Sequence, residues 1–496
     1  MKLTHTVFGG GYQTKDSKGA LKYDIEPGIL GFISSCYQLG SILAVPIAPW
    51  INRKYGRRWC IMIGSLTMVV GAILQGFAQH SKQKSHRQHV NPRTHFLSVG
   101  MYIIARMILG VGILLAIIAG SALIGELAYP KERATMTSLF NASYFIGSIV
   151  ASAITIRTTD IVGNWSWRIP SLLQICPSML QICTVFLLPE SPRWLISQDR
   201  DDEAFAVLTK YHAEGDADSV LVKAEMAQIR STIKLEMEQS SGSWLDLFKT
   251  PGMRRRTLIA GFLGLFTQMS GNTLLSYYQN LLFELIGYTS NYAKTRINIA
   301  NNCWSLINAT IIALIVTRFR RRWMFMLSAG SMVMVFMSMT ICFQTLEHAR
   351  DNGIDNRSAQ LAALFFYFSY SPCYNIGNNS LTYTYLIELF PFAQRSMGIG
   401  FEQAFGKLAG FFSVNVNPIA MKAISWKFFA IYCGWITFEF LFVYFMYPET
   451  YGRTLEELTF RKSHARFVAN AQMLTAKQCS KTRPSPTRLS RPSRSR

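Results

Sequence analysis

Glu126-Leu-Ala-Tyr-Pro130, with Arg133 three residues further on, and Glu388-Leu-Phe-Pro391, with Arg395 four further on, are two copies of one pattern. In each, an acid closes a long apolar run and an arginine follows it by seven residues; the copies lie 262 residues apart. Two more landmarks repeat at nearly that distance. Pro189-Glu190-Ser191 matches Pro448-Glu449-Thr450 at 259 residues, and the basic turn Arg53-Lys54-Tyr55-Gly56-Arg57-Arg58 matches Arg318-Phe319-Arg320-Arg321-Arg322 at 264. Self-similarity at one long offset marks a chain built from two like halves.

Between these landmarks the chain is apolar in blocks. Eleven blocks lie near 29–50, 59–79, 97–125, 135–156, 169–188, 257–284, 297–317, 323–343, 359–387, 397–420 and 427–447, each close to the roughly 20 residues a helix needs to cross hydrocarbon. Lipid tolerates no unpaired backbone, and no block alternates at period two, so all are read as helices. The expected fold is an all-α polytopic membrane protein of two bundles. Its parts are a polar segment 1–28, five helices in 29–188, a central loop 189–256, six helices in 257–447 and a basic tail 448–496. Shifted back by 263 residues, block 257–284 falls on −6 to 21, where the chain is polar. The expectation is therefore a six-plus-six plan without its first helix, unable to transport until that helix is supplied.

Composition excludes the soluble classes. Apolar residues make up 50% of the chain and charged ones 16%, against about 25% charged in soluble proteins. Of the net charge of +22, ten Lys/Arg fall between Arg461 and Arg496 with no acid among them. The other bases sit in short loops beside apolar blocks, which excludes a nucleic-acid partner and fits the basic excess of cytoplasmic loops. This places 51–58, 129–134, 190–256 and 318–322 inside, and the sequons Asn164-Trp-Ser166 and Asn356-Arg-Ser358 outside. The segment 80–96 carries histidines at 80, 86, 89 and 95, but their spacing matches no metal site and it is read as a solvated insertion. With no nucleophile elbow, phosphate loop or Cys/His cluster, neither an enzyme nor a cofactor or metal is expected.

Taken together, these residues resemble the sugar porter family of the major facilitator superfamily from about residue 28 to 459. Asn52 to Arg58 looks like the family's loop between helices two and three, Arg106 with Gly110 like its R-x-x-x-G helix, and Pro189 to Trp194 and Pro448 to Arg453 like its two half-closing signatures. Gln268-Met-Ser-Gly-Asn272 with Tyr277-Tyr278 resembles the sugar-facing side of helix seven. Ser-Gly-Asn and Asn378-Asn-Ser-Leu-Thr-Tyr are most similar to the fungal lactose and cellobiose permease branch. The chain departs from the family where Asn52 replaces an acid, Ala48 a glycine, and Thr317 to Arg322 lacks both.

The resemblance implies alternating access for a hexose or disaccharide, with a proton as a possible co-substrate; a non-transporting sensor and an inactive truncated form are the rivals. A sugar needs amides and hydroxyls for its hydroxyl groups and aromatic faces for its C–H surfaces. Gln268, Asn272, Tyr278, Asn302, Asn378 and Gln403 are the candidates, each equally able to bond helix to helix. The spacing of four puts Gln268 and Asn272 on one helical face. By resemblance, Arg57, Arg58, Glu126, Arg133, Glu190, Arg193, Arg321, Arg322, Glu388, Arg395 and Glu449 form ion pairs tying the halves together at the cytoplasmic end. Arg106, Glu402 and Glu439, costly inside a membrane, are the coupling candidates.

Overall fold

The computed structural model describes residues 11–15, 21–25, 27–78, 92–129, 131–159, 161, 165–239, 243–277, 279–287, 290–352 and 356–451. Of the residues singled out from sequence, most of the 80–96 insertion, the tail beyond Tyr451, Pro130, Asn164 of the first sequon and Tyr278 lie outside them. A short antiparallel hairpin comes first, β1 (Gly11–Lys15) on β2 (Leu21–Ile25), with Gly11 opposite Ile25. It occupies the stretch in which the repeat places a further helix. Among the described residues every later element is a helix: α1 (Pro27–Ala44), α2 (Ile47–Tyr55), α3 (Arg57–Gly76), α4 (Pro92–Leu127), α5 (Arg133–Thr159), α6 (Trp165–Leu173) and α7 (Ile175–Thr184). The central stretch holds α8 (Pro192–Ser197), α9 (Asp201–His212), α10 (Val220–Gln239) and α11 (Asp246–Lys249). The rest comprises α12 (Pro251–Met269), α13 (Asn272–Tyr277), α14 (Gln279–Leu285), α15 (Asn291–Ile315), α16 (Arg321–Asp351), α17 (Arg357–Tyr374), α18 (Ser380–Leu389), α19 (Phe392–Ile424) and α20 (Lys427–Met446).

Among the described residues eight helices are long and apolar enough to cross a membrane, nine if α1 and α2, bent by 52°, count as one span. The two remaining apolar blocks fail for physical reasons. Block 359–387 is split into α17 and α18 by a π-helical turn, Asn375–Asn379, just after Pro372. Block 397–420 lies in α19, whose apolar run is broken by Glu402 and Lys407. Large side chains such as Leu187 at 79% and Phe445 at 71% exposure face outward, as a lipid-facing surface requires.

Helices meet where small residues let backbones approach. A Cβ on Gly110 would lie 1.8 Å from the Tyr37 carbonyl oxygen, and one on Gly40 2.0 Å from that of Met107, so α1 and α4 cross glycine on glycine. The Ser41 hydroxyl seals the crossing by donating to the Gly110 carbonyl at 2.9 Å. The two halves meet along polar seams. Asn415 on α19 donates to Ser35 on α1 at 3.0 Å, and Thr137 on α5 lies 2.6 Å from Thr384 on α18. Ser138 donates to the Ser380 carbonyl, and Asn298 on α15 to Ser152 on α5.

The central helices carry their own signals. Ser191 caps α8 by accepting from the Trp194 N–H, with Pro192 in the first turn, a standard helix start. Asp201, Asp202 and Glu203 open α9 and Lys210 and His212 close it, matching the helix dipole. Trp194, Leu195, Leu208, Val222, Ile229 and Ile233 bury one another against Phe392 of α19.

Candidate functional site

At the basic end the sequence repeat becomes a repeat of hydrogen bonds. In the first half, Gly56 has φ +91° and a Cβ there would lie 2.6 Å from the Glu190 carboxylate, so only glycine fits the turn. Glu190 accepts the N–H groups of Arg57, Arg58 and Ser191 at 3.1, 3.1 and 3.0 Å. In the second half Glu449 accepts those of Arg321, Arg322 and Thr450 at 3.0, 3.3 and 3.1 Å. Each acid satisfies the orphan donors at the start of a helix, α3 or α16. The Arg58 guanidinium binds the Phe186 carbonyl at 2.7 Å, and that of Arg322 binds the Tyr444 carbonyl. These four residues work within their own halves.

Glu126 joins the halves. Both oxygens of its buried carboxylate take bonds from Arg57, at 3.0 and 3.2 Å, and the Ser191 hydroxyl donates at 2.5 Å. Arg395 reaches across from α19 at 3.0 Å and is itself 1% exposed. Phe392 packs against both guanidiniums, 5.1 Å from Arg57 and 5.9 Å from Arg395. The second half mirrors the set: Arg321 to Glu388 at 3.4 Å and Thr450 to Glu388 at 2.5 Å. Arg133 lies within electrostatic range of Glu388, and Arg193, buried in α8, within range of Arg395. Asn52, where an acid is usual, also crosses the seam, donating to Ser396 at 2.9 Å. Apolar packing accompanies these bonds across the seam, since a Cβ on Gly125 would lie 2.5 Å from Ile387. Sequence reasoning missed Ser191, Thr450, Phe392 and Ser396; Ser191 and Thr450 at least stood inside the repeat.

Further from that end α12 breaks. Ser270 closes it, Gly271 turns at φ +98° against the Phe336 ring, and α13 begins at Asn272. The break separates Gln268 from Asn272, so the single helical face expected from their spacing does not exist. Gln268, half-buried, accepts from the Thr273 hydroxyl at 3.3 Å, and Asn272 accepts from Ser276 at 3.3 Å. Across the seam, Gln38 of α1 comes close to Gln268 over Gly410: a Cβ there would lie 2.6 Å from Gln38 Nε2 and 3.3 Å from Gln268 Oε1. Sequence reasoning did not single out Gln38.

The other candidates have partners. Asn302 donates to Asn298 and Ser152 in the α5–α15 seam, at 3.3 and 3.5 Å. Gln403 donates to the Tyr383 hydroxyl and to Glu402, both at 3.0 Å. Asn378, in the π-helical turn, donates to Glu439 at 2.9 Å, and Glu439 also accepts from Ser270 at 2.5 Å. Tyr370 and Tyr374 donate to the carbonyls of Ser270 and Thr267 at 3.2 and 2.8 Å. The broken helix α12 is thus held by hydroxyls of α17. Arg106 donates to the Ser34 carbonyl at 3.3 Å and lies over the Tyr102 ring. Among the described residues no group of three or more His, Cys, Asp or Glu could hold a metal.

Comparison with known proteins adds to this geometry. The sugar (and other) transporter family matches residues 10–460. The chain is 27% identical over 447 residues to the high-affinity glucose transporter of Kluyveromyces lactis, covering 86% of this chain and 76% of that one. It is 26% identical over 468 residues to the arabinose-proton symporter of Bacillus subtilis, covering 90% and 91%. Among solved structures, the proton:xylose symporter XylE bound to 6-bromo-6-deoxy-D-glucose superposes with a TM-score of 0.76 at 21% identity, covering 92% and 93%. The inward open conformation of XylE from E. coli gives 0.65 at 20% identity, covering 92% and 93%.

Proposed function

We propose, setting aside the expectation that it is unable to transport, that this chain, which belongs to the sugar (and other) transporter family of the major facilitator superfamily, carries a hexose or disaccharide across the plasma membrane together with a proton. It is a multi-pass membrane transporter and not an enzyme. The observation that carries the reading is Glu126, held by Arg57 from one half and Arg395 from the other. Such a closure seals one end of the molecule, and the excess of Lys/Arg in that end's loops makes it the cytoplasmic one. Alternating access then requires it to part. Gln268 and Asn272, on either side of the helix break, are read as sugar contacts, because a broken helix exposes amides and backbone to a central chamber. The names of relatives support the substrate class and the proton: glucose, arabinose-proton and proton:xylose.

The test is uptake of radiolabelled glucose and lactose in cells deprived of their own carriers. Gln268→Ala and Asn272→Ala should each weaken apparent affinity about 5- to 150-fold, since a lost bond to a buried hydroxyl costs about 1–3 kcal/mol. A double mutant that reaches the surface with unchanged KM removes the break between α12 and α13 from the site. Absence of both uptake and exchange for any sugar removes the transport reading itself.

A further inference from the structure

Ser270 stands between two acceptors. Its hydroxyl oxygen is 2.5 Å from the Phe266 carbonyl oxygen and 2.5 Å from Glu439 Oε2. A serine hydroxyl carries one proton and can donate it only once. A carbonyl only accepts, and so does an ionised carboxylate. One proton shared between two acceptors makes a weaker three-centre bond; two contacts as short as 2.5 Å are each a full hydrogen bond when one more proton is present, on Glu439. Then Glu439 Oε2–H donates to Ser270 Oγ, and Ser270 Oγ–H donates to Phe266. The other carboxyl oxygen, Oε1, still accepts from Asn378 at 2.9 Å. With that proton every contact is a donor facing an acceptor.

The surroundings favour the same count. Glu439 is 1% exposed on α20, and no lysine or arginine among the described residues acts on it. The titratable groups around it are Tyr370 and Tyr374 of α17, Tyr447 after α20, and Glu402 of α19, which shares Tyr374 and Tyr447 as neighbours. A buried carboxylate without a cation is costly to leave charged. Glu402 is the obvious competitor, but its hydrogen bond comes from Gln403, the next residue of its own helix. Glu439 instead bonds to the break of α12, two residues from both Gln268 and Asn272, and to the π-helical turn between α17 and α18. We propose that Glu439 is the proton-binding group of this transporter and holds its proton in the state with the cytoplasmic end sealed. This rests on the transport reading above.

The step balances simply. A proton from the outer side forms the O–H bond of Glu439, and the Ser270 proton turns to Phe266. When the proton leaves to the cytoplasm, Ser270 must choose one acceptor. The bond between α20 and the break of α12 then changes, so the proton acts on the segment that bears the proposed sugar contacts.

The full chain in proteoliposomes, probed with radiolabelled D-glucose and lactose, decides the matter. Wild type should exchange sugar without a gradient and accumulate it up to about tenfold under a one-unit pH gradient, the limit for one proton per sugar at about 1.4 kcal/mol. Glu439→Gln should lose the gradient-driven accumulation, and the exchange it retains should no longer depend on pH. Glu439→Asp should restore a pH-dependent rate with a displaced midpoint, which a purely structural role would not move. If the Gln variant fails to fold, Ser270→Ala and the Asp variant decide by that midpoint, and an unmoved midpoint in both overturns the proposal. A Glu439→Gln protein that accumulates sugar like wild type also overturns it while leaving transport intact. Wild type without exchange overturns the transport reading and this proposal with it.

Discussion

At the scale of single residues, His212 offers the cleanest prediction. Its Nδ1 is 2.8 Å from Glu225 and its Nε2 3.2 Å from the carbonyl of Leu127, the residue after Glu126. Both partners only accept, so both ring nitrogens donate only in the imidazolium. The Glu225 hydrogen bond first, then its charge, with the Leu127 carbonyl, holds the histidine above its ordinary value; burial and Arg133 oppose this. A raised folded value means the tie is complete below the unfolded value of about 6.5 and is lost as pH climbs through the folded one. Hydrogen exchange of 201–212 in wild type should therefore quicken as pH rises from 6 to 8, beyond the intrinsic pH effect. In His212→Gln that extra change should vanish. Equal behaviour of the two proteins would show that the tie needs no charge.

Residue roles were legible from sequence only where the repeat doubled the information. Glu126 and Arg395 stood out because each has a counterpart, and the structure brings them together. Glu190 and Glu449 stood out for the same reason. Yet nothing in the spacing says that their oxygens meet backbone N–H groups of their own halves and not arginine side chains across the seam. Asn378 was visible as an intramembrane amide, but its partner Glu439 lies on another helix 61 residues away. One sequence carries no trace of such a pairing.

At the scale of elements, apolar blocks of the right length sufficed to locate the helices, since length and hydropathy are local. Where a helix breaks is less plain. Ser270-Gly271 is the kind of pair that kinks helices, but the amide spacing around it argued for continuity. The crossing of α1 and α4 yields a prediction at this scale. Gly110→Ala puts a carbon where the Tyr37 carbonyl already is, and a backbone atom cannot rotate away. Overpacking of this kind costs about 1–3 kcal/mol or more. The variant should give a lower melting temperature and less monodisperse protein on size exclusion. Gly147→Ala, where nothing lies within 4 Å, should match wild type. Equal stability of both variants would mean that α1 and α4 do not cross at these glycines.

At the scale of the whole molecule, the proposed cytoplasmic seal is a shared carboxylate, Glu126. Arg395→Ala leaves Glu126 with Arg57 and Ser191 and removes the ion pair that Glu126 makes across the halves. Because the charge stays paired, folding should survive, while the closed state loses stability relative to the open one. A cysteine at Thr384, buried in the seam against Thr137, reports this. A bulky maleimide should modify Thr384→Cys about tenfold faster or more when Arg395→Ala is also present, a shift of about 1.4 kcal/mol. Unaltered labelling would place the seal elsewhere.

The seams themselves have a further consequence. Ser35, Thr137, Ser138, Ser152, Asn298 and Asn415 meet their partners through hydroxyls and amides. Acyl chains offer nothing to such groups, so prying the bundles apart sideways would strand every one of them in oil. Sliding one bundle against the other strands none for long, because a hydroxyl turns about its bond and takes the next acceptor along the helix. A surface of this kind would act as a journal bearing lubricated by its own protons, letting the halves rock while the membrane around it could not wet it.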